Sequence, residues 1–166
     1  MSLEVKVAGL TVDPFSNMPI VILKDLEEKN AIPIWIGILE ASAIATELEK
    51  IRLARPMTHD LLKNLLDSLG VEMQKIVVTD LRDNTFFAAI HLLNNKNDII
   101  LDARPSDAIA LALRTGSPIF VEEQVVEKSK KIDLSQRGEG EGKAEAEKWK
   151  EILDSLSPED FGKYKM

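Results

Sequence analysis

Six residues, AIALAL at 108–113, constrain the fold more than any other stretch of the chain. They sit within LDARPSDAIALALRTGSPIF, residues 101–120, behind an Arg-Pro start and ahead of a terminating glycine. A helix that is apolar all round has to be covered all round. It is therefore either sandwiched inside a domain or shared across a subunit interface, and its alanines permit close approach of whatever covers it. Asp102, Arg104 and Asp107 crowd its start, where a buried helix meets water. That geometry makes a good site and is also required of any buried helix.

A chain of 166 residues suffices for one compact domain without disulfides or metals. The absence of cysteine excludes disulfide scaffolds, thiolate zinc sites and cysteine nucleophiles, and suits a reducing compartment. The opening MSLEVKVAGL has no basic region ahead of an apolar run, and no segment approaches the roughly 18 apolar residues that span a membrane. A soluble, unexported, cytoplasmic protein is expected, with no membrane partner. The net charge of −7 repels polyanions at long range, so nucleic acid would have to be held through a local cationic patch or bridging metal ions.

In the first strand Val5, Val7 and Gly9 alternate with Lys6, Ala8 and Leu10. DPFSNMP is a turn, IVILKD a second strand and AIPIWIG a third, with Pro33 best placed on an edge; the three predict an antiparallel meander. From Ile38 the period becomes helical, and Ala41, Ile44, Ala45, Leu48 and Ile51 form one stripe through residues 38–54. A second helix follows Arg55 and Pro56. Thr58 reads as its N-cap, Leu61, Leu62, Leu65, Leu66 and Leu69 as its buried face, Asp60 as part of its outer face and Gly70 as its stop.

VEMQKIVVTDL and NTFFAAIHLL, joined across RDN, predict a hairpin; DIILDA adds a strand and SPIFVEE the last one. RPMTHDLLKNLLDSLG and RPSDAIALALRTG share a layout, either one helix-strand unit used twice or simply two well-capped helices. The expected class is α+β: a mixed, largely antiparallel sheet with packed helices and a C-terminal helical appendage. Residues 1–132 form the domain, 133–143 a polar, Gly-rich linker, and 144–166 a short helical tail with Trp149, Ile152, Leu153 and Leu156 on one face.

IPIWIG followed by EASAIATEL, then RPMTHDLLKNLLDSLG, TFFAAIHL, and LDARPSDAIALALR with SPIFVEEQV resemble the bifunctional nuclease family. These are small bacterial and plant proteins described as degrading both DNA and RNA. The resemblance spans roughly residues 1–130 in order, and RPSDAIALALR is its most specific piece. It implies an α+β fold, a homodimer and nuclease activity on nucleic acid. It brings no agreed catalytic constellation, so candidate site residues come from the chain itself.

Phosphodiester hydrolysis needs an activated water, charge stabilisation on the phosphoryl oxygens and help for the leaving oxygen. Metal nucleases take these from divalent ions on carboxylates. Asp102, Asp107 and Glu40 are the candidate catalytic and metal-ligating carboxylates, for Mg²⁺ or Mn²⁺. Asp102 and Arg104, two apart in an extended segment, point to one side, and Asp107 falls in the first helical turn. The alternative is structural: Ser106 and Asp107 cap the helix while Asp102 and Arg104 pair.

Glu40, at the edge of its helix's buried stripe, needs a partner, either a ligand or an arginine such as Arg55. His59, between the apolar and polar faces of the second helix, is either a general acid or an inert half-exposed residue. Arg104 and Arg55 are candidate phosphate binders. Trp35 and His91 read as packing residues. Gly-rich phosphate loops, HExxH, nucleophile elbows and zinc spacings are absent from the sequence, so the alternative to a nuclease is a non-catalytic dimeric binding or regulatory module taking a small anion or a partner peptide.

Overall fold

The computed structural model describes residues 1–135. Most of the linker and all of the helical tail read from the sequence lie outside the described residues. The elements run β1 (Ser2–Val12), β2 (Pro19–Asp25), β3 (Ala31–Trp35), α1 (Ile38–Leu48), α2 (Thr58–Leu69), β4 (Glu72–Arg82), β5 (Thr85–Asn94), β6 (Asn97–Ala103), α3 (Pro105–Thr115), β7 (Ile119–Glu122) and α4 (Glu123–Ser135). The strands form one mixed sheet in the order β3-β2-β1-β7-β4-β5-β6. Among the described residues only the β4–β7 pairing is parallel. The α+β class, the meander and the edge position of Pro33 are as expected.

β1 departs from strict alternation. Its register against β2 shifts between Val7 and Gly9, a bulge eased by Gly9 at φ 154°. One extra residue reverses the facing of everything after it, so Leu10 joins Val5 and Val7 on the core side. The two hairpins of β4, β5 and β6 turn through Asp83-Asn84 and Asn95-Lys96, all four at positive φ. Such turns match the right-handed strand twist.

α3 is the buried helix anticipated from AIALAL. Ala108, Ile109, Ala110, Leu111 and Ala112 are buried against β4, β5, α1 and α2, so the helix is sandwiched inside the domain. α1 also buries Ala41 and Ile44, but ends at Leu48, before Ile51. Lys50 takes the left-handed turn at φ 54°, a role usually given to Gly or Asn, so no glycine marked that end.

α2 corrects two expectations. Its N-cap is Met57 rather than Thr58, and the Met57 N–H donates to Asp60 Oδ2 at 2.9 Å. No residue of α2 is buried: Leu61 and Leu69 are 62% and 64% exposed, and only Leu66 packs against the core. The leucine stripe faces outward. α2 and α3 nonetheless share a plan, each ending at a left-handed glycine, Gly70 or Gly116, and leading into the parallel pair β4 and β7. α4, which went unread in the sequence, buries Val125 and Val126.

Candidate functional site

α1, α2 and the α3 start each contribute one side of a charged cluster. Pro105 begins α3 and leaves Arg104 extended at the N-cap, φ −69° and ψ 142°. From there the guanidinium bridges two carboxylates. Its Nη1 donates to Glu40 Oε1 of α1 at 2.8 Å and its Nε to Asp107 Oδ2 at 2.9 Å. The other Asp107 oxygen, Oδ1, lies 2.9 Å from Nε2 of His59 on α2. Glu40, His59, Arg104 and Asp107 therefore form one continuous chain of contacts, drawn from residues up to 67 positions apart in the sequence.

The His59 side chain is 12% exposed and that of Arg104 64% exposed. Burial pushes the Asp107 carboxyl up, but hydrogen bonds from Arg104 and His59 outweigh it and hold the carboxyl below the ordinary value. Bonds to Asp107, then to Glu40, raise the Arg104 guanidinium further. Gly37, the α1 N-cap, leaves room for this arrangement: a Cβ there would collide with Glu40 Oε2.

The cluster opens onto a groove of about 1020 Å³. Its walls are aliphatic, formed by Leu39, Leu53, Met57, Leu62, Leu65 and Leu101. Three carboxylates, Glu40, Asp102 and Asp107, line it against two guanidiniums, Arg104 and Arg114.

Several expectations change here. Asp102 lines the groove from exposed β6 but makes no ion pair with Arg104 among the described residues. The partner of Glu40 is Arg104, not Arg55; Arg55 is exposed and does not line the groove. Neither Ser106 nor Asp107 supplies a side-chain cap to α3. Glu40 and Asp107 converge on a guanidinium, and no three His, Asp or Glu side chains among the described residues are grouped to hold a metal ion.

Trp35 donates its indole N–H to Asp13 at 2.9 Å, outside the groove. His91 lies opposite Lys75 in β4; burial, then that lysine, lowers its pKa.

Arg114 and Asp60 were missed. Asp60 turns inward from the face assigned to solvent and accepts from Arg114 Nε at 2.7 Å. The signal was there: an arginine closing a helix that is apolar all round must find buried partners.

Comparison with known proteins places this architecture. The family profile described as bifunctional nuclease domain matches residues 21–133. An uncharacterized protein of Mycobacterium tuberculosis is 41% identical over 162 residues, covering 95% of this chain and 97% of that one. Bifunctional nuclease 2 and bifunctional nuclease 1 of Arabidopsis thaliana are each 30% identical, over 93 and 108 residues. Those matches cover 54% and 62% of this chain but only 28% and 33% of the plant proteins. Glu40, His59, Arg104 and Asp107 all fall inside the matched span, and the chain belongs to the bifunctional nuclease domain family.

Proposed function

We propose that the chain is a nuclease that hydrolyses phosphodiester bonds in DNA and RNA at the Glu40–Arg104–Asp107–His59 cluster. The observation that carries this reading is the His59–Asp107 contact at 2.9 Å beside an exposed guanidinium. With its proton on Nε2, donated to Asp107, His59 keeps the Nδ1 lone pair for a proton from the attacking water. The same ring, once protonated, supplies the proton the leaving oxygen requires. Arg104 uses Nε and Nη1 on the carboxylates, leaving Nη2 to donate to a phosphoryl oxygen.

A divalent ion, Mg²⁺ or Mn²⁺, is proposed as an added counter-charge because the groove carries more carboxylates than guanidiniums. The present side-chain arrangement gives that ion no ready-made ligand set among the described residues, so the proton transfers above are assigned to the chain's own groups. Asp102 and Arg55 are retained as outlying candidates for metal and phosphate respectively. A homodimer is proposed as well, supported by the outward leucines of α2 and the exposed Ile100 of edge strand β6, and a cytoplasmic location, which the cysteine-free composition suits. The second reading, a non-catalytic binding or regulatory module taking a small anion or a partner peptide, is favoured on its peptide side by the aliphatic groove walls, where His59 is the one ring among the described lining residues.

Cleavage of single- and double-stranded DNA and of RNA, with Mg²⁺, Mn²⁺ or EDTA, separates the two. The nuclease reading expects activity that disappears in folded His59→Gln, Asp107→Asn and Glu40→Gln. Equal activity in parent and variants, or none in any, would overturn it; loss with EDTA alone reports on the ion.

A further inference from the structure

We infer that Arg114 is the positioning residue of this site, one guanidinium setting the relative placement of the three helices that carry Glu40, His59 and Asp107. The inference rests on reading that cluster as the reactive site. The Arg114 side chain is 3% exposed. Its Nε donates to Asp60 Oδ1 on α2 at 2.7 Å, Nη1 to the Ala110 carbonyl of its own helix at 2.9 Å, and Nη2 to the Ala43 carbonyl on α1 at 3.0 Å.

Each anchor lies within one helical turn of a cluster residue. Ala43 follows Glu40 by a turn, Asp60 adjoins His59, and Ala110 follows Asp107 by a turn. A planar fork with fixed donor directions converts these three contacts into an orientation, which a flexible ammonium cannot do. α2 depends on this fixing more than the others, because none of its residues is fully buried and only Leu66 among its leucines packs against the core. Its described side-chain hydrogen bonds to the rest of the domain are those of Asp60 and His59, one on Arg114 and one on Asp107.

The test uses the full chain with Arg114→Lys, Arg114→Met and, from the α2 side, Asp60→Asn. Amide hydrogen exchange is followed by element, the His59 imidazole by ¹⁵N NMR, and cleavage as separate kcat and KM. Arg114→Lys is expected to keep sheet protection while α2 amides exchange about tenfold faster or more. The His59 resonances should move, and kcat should fall about tenfold or more with KM little changed.

Parent-like α2 exchange and His59 resonances in both Arg114→Lys and Asp60→Asn would overturn the proposal. So would equal acceleration in every element, which marks a residue of general stability only. If Arg114→Met fails to fold, the other two variants decide. A parent that cleaves nothing sinks the nuclease reading alone, since exchange and His59 resonances still decide whether Arg114 positions the cluster.

Discussion

Glu40 is held by what is missing beside it. The Gly37 backbone, φ −76° and ψ 164°, is open to any residue, so glycine is needed there only for the space that Glu40 Oε2 occupies. Gly37→Ala should leave stability within about 1 kcal/mol of the parent, because the colliding atom ends a flexible side chain and alanine restricts the unfolded chain. The Glu40–Arg104 bond should be lost nonetheless. Urea unfolding beside a cleavage assay checks both halves: normal stability with parental activity would show that Glu40's place does not matter.

Acid should reveal the carboxylates directly. The Met57 N–H, then Arg114, hold the Asp60 carboxyl below the ordinary 3.8, and Asp107 is likewise lowered, its bonds to Arg104 and His59 outweighing burial. A carboxyl with a lower pKa folded than unfolded stabilises the fold fully above the unfolded value. That contribution disappears as pH falls from about 3.8 through the lowered values. Unfolding midpoints measured from about pH 6 to about pH 3 should drop in that window, and Asp60→Asn should flatten part of the drop.

At the scale of elements, the two left-handed glycines provide a matched pair. Gly70 at φ 67° and Gly116 at φ 70° each end a helix and have open space where a Cβ would go, so alanine at either adds backbone strain without a clash. Each substitution should cost about 1 kcal/mol in thermal unfolding. At Gly70 that strain falls on a helix with no buried residue, so local exchange in α2 should exceed that caused in α3 by Gly116→Ala.

The same pair marks how far sequence reasoning reaches. Both stops, the meander, the hairpin and the burial of the AIALAL helix were legible, because glycine, turn residues and apolar periodicity act locally, whereas what covers that helix was not. The end of α1 was not, since Lys50 adopts a left-handed turn without the residue type that announces one. Periodicity located α2 correctly but not what it faces, because an apolar stripe records that something covers it and not whether that cover belongs to the same chain. Glu40, His59, Arg104 and Asp107 were each visible as candidates. Their junction was not, since Arg104 reaches Glu40 only through the packing of α1 against α3.

For the molecule as a whole, the outward leucines predict assembly. Leu65→Glu replaces an exposed residue and should alter the fold's stability by no more than about 0.5 kcal/mol. The proposed homodimer should nevertheless dissociate, which light scattering coupled to size exclusion would register as a halved mass. A parent that runs as a monomer at the same concentration would rule the dimer out.

β7 has a consequence for how the chain is made. Four residues, Ile119–Glu122, stand between β1 on one side and β4 on the other. Until they emerge from the ribosome, the β1–β3 meander and the β4–β6 meander have no strand in common, and each presents a bare inner edge. From the completion of β6 at Ala103 until Ile119 emerges, the nascent chain thus carries two unjoined half-sheets exposed to mispairing with neighbouring chains, and the sheet closes when a short strand is inserted between them.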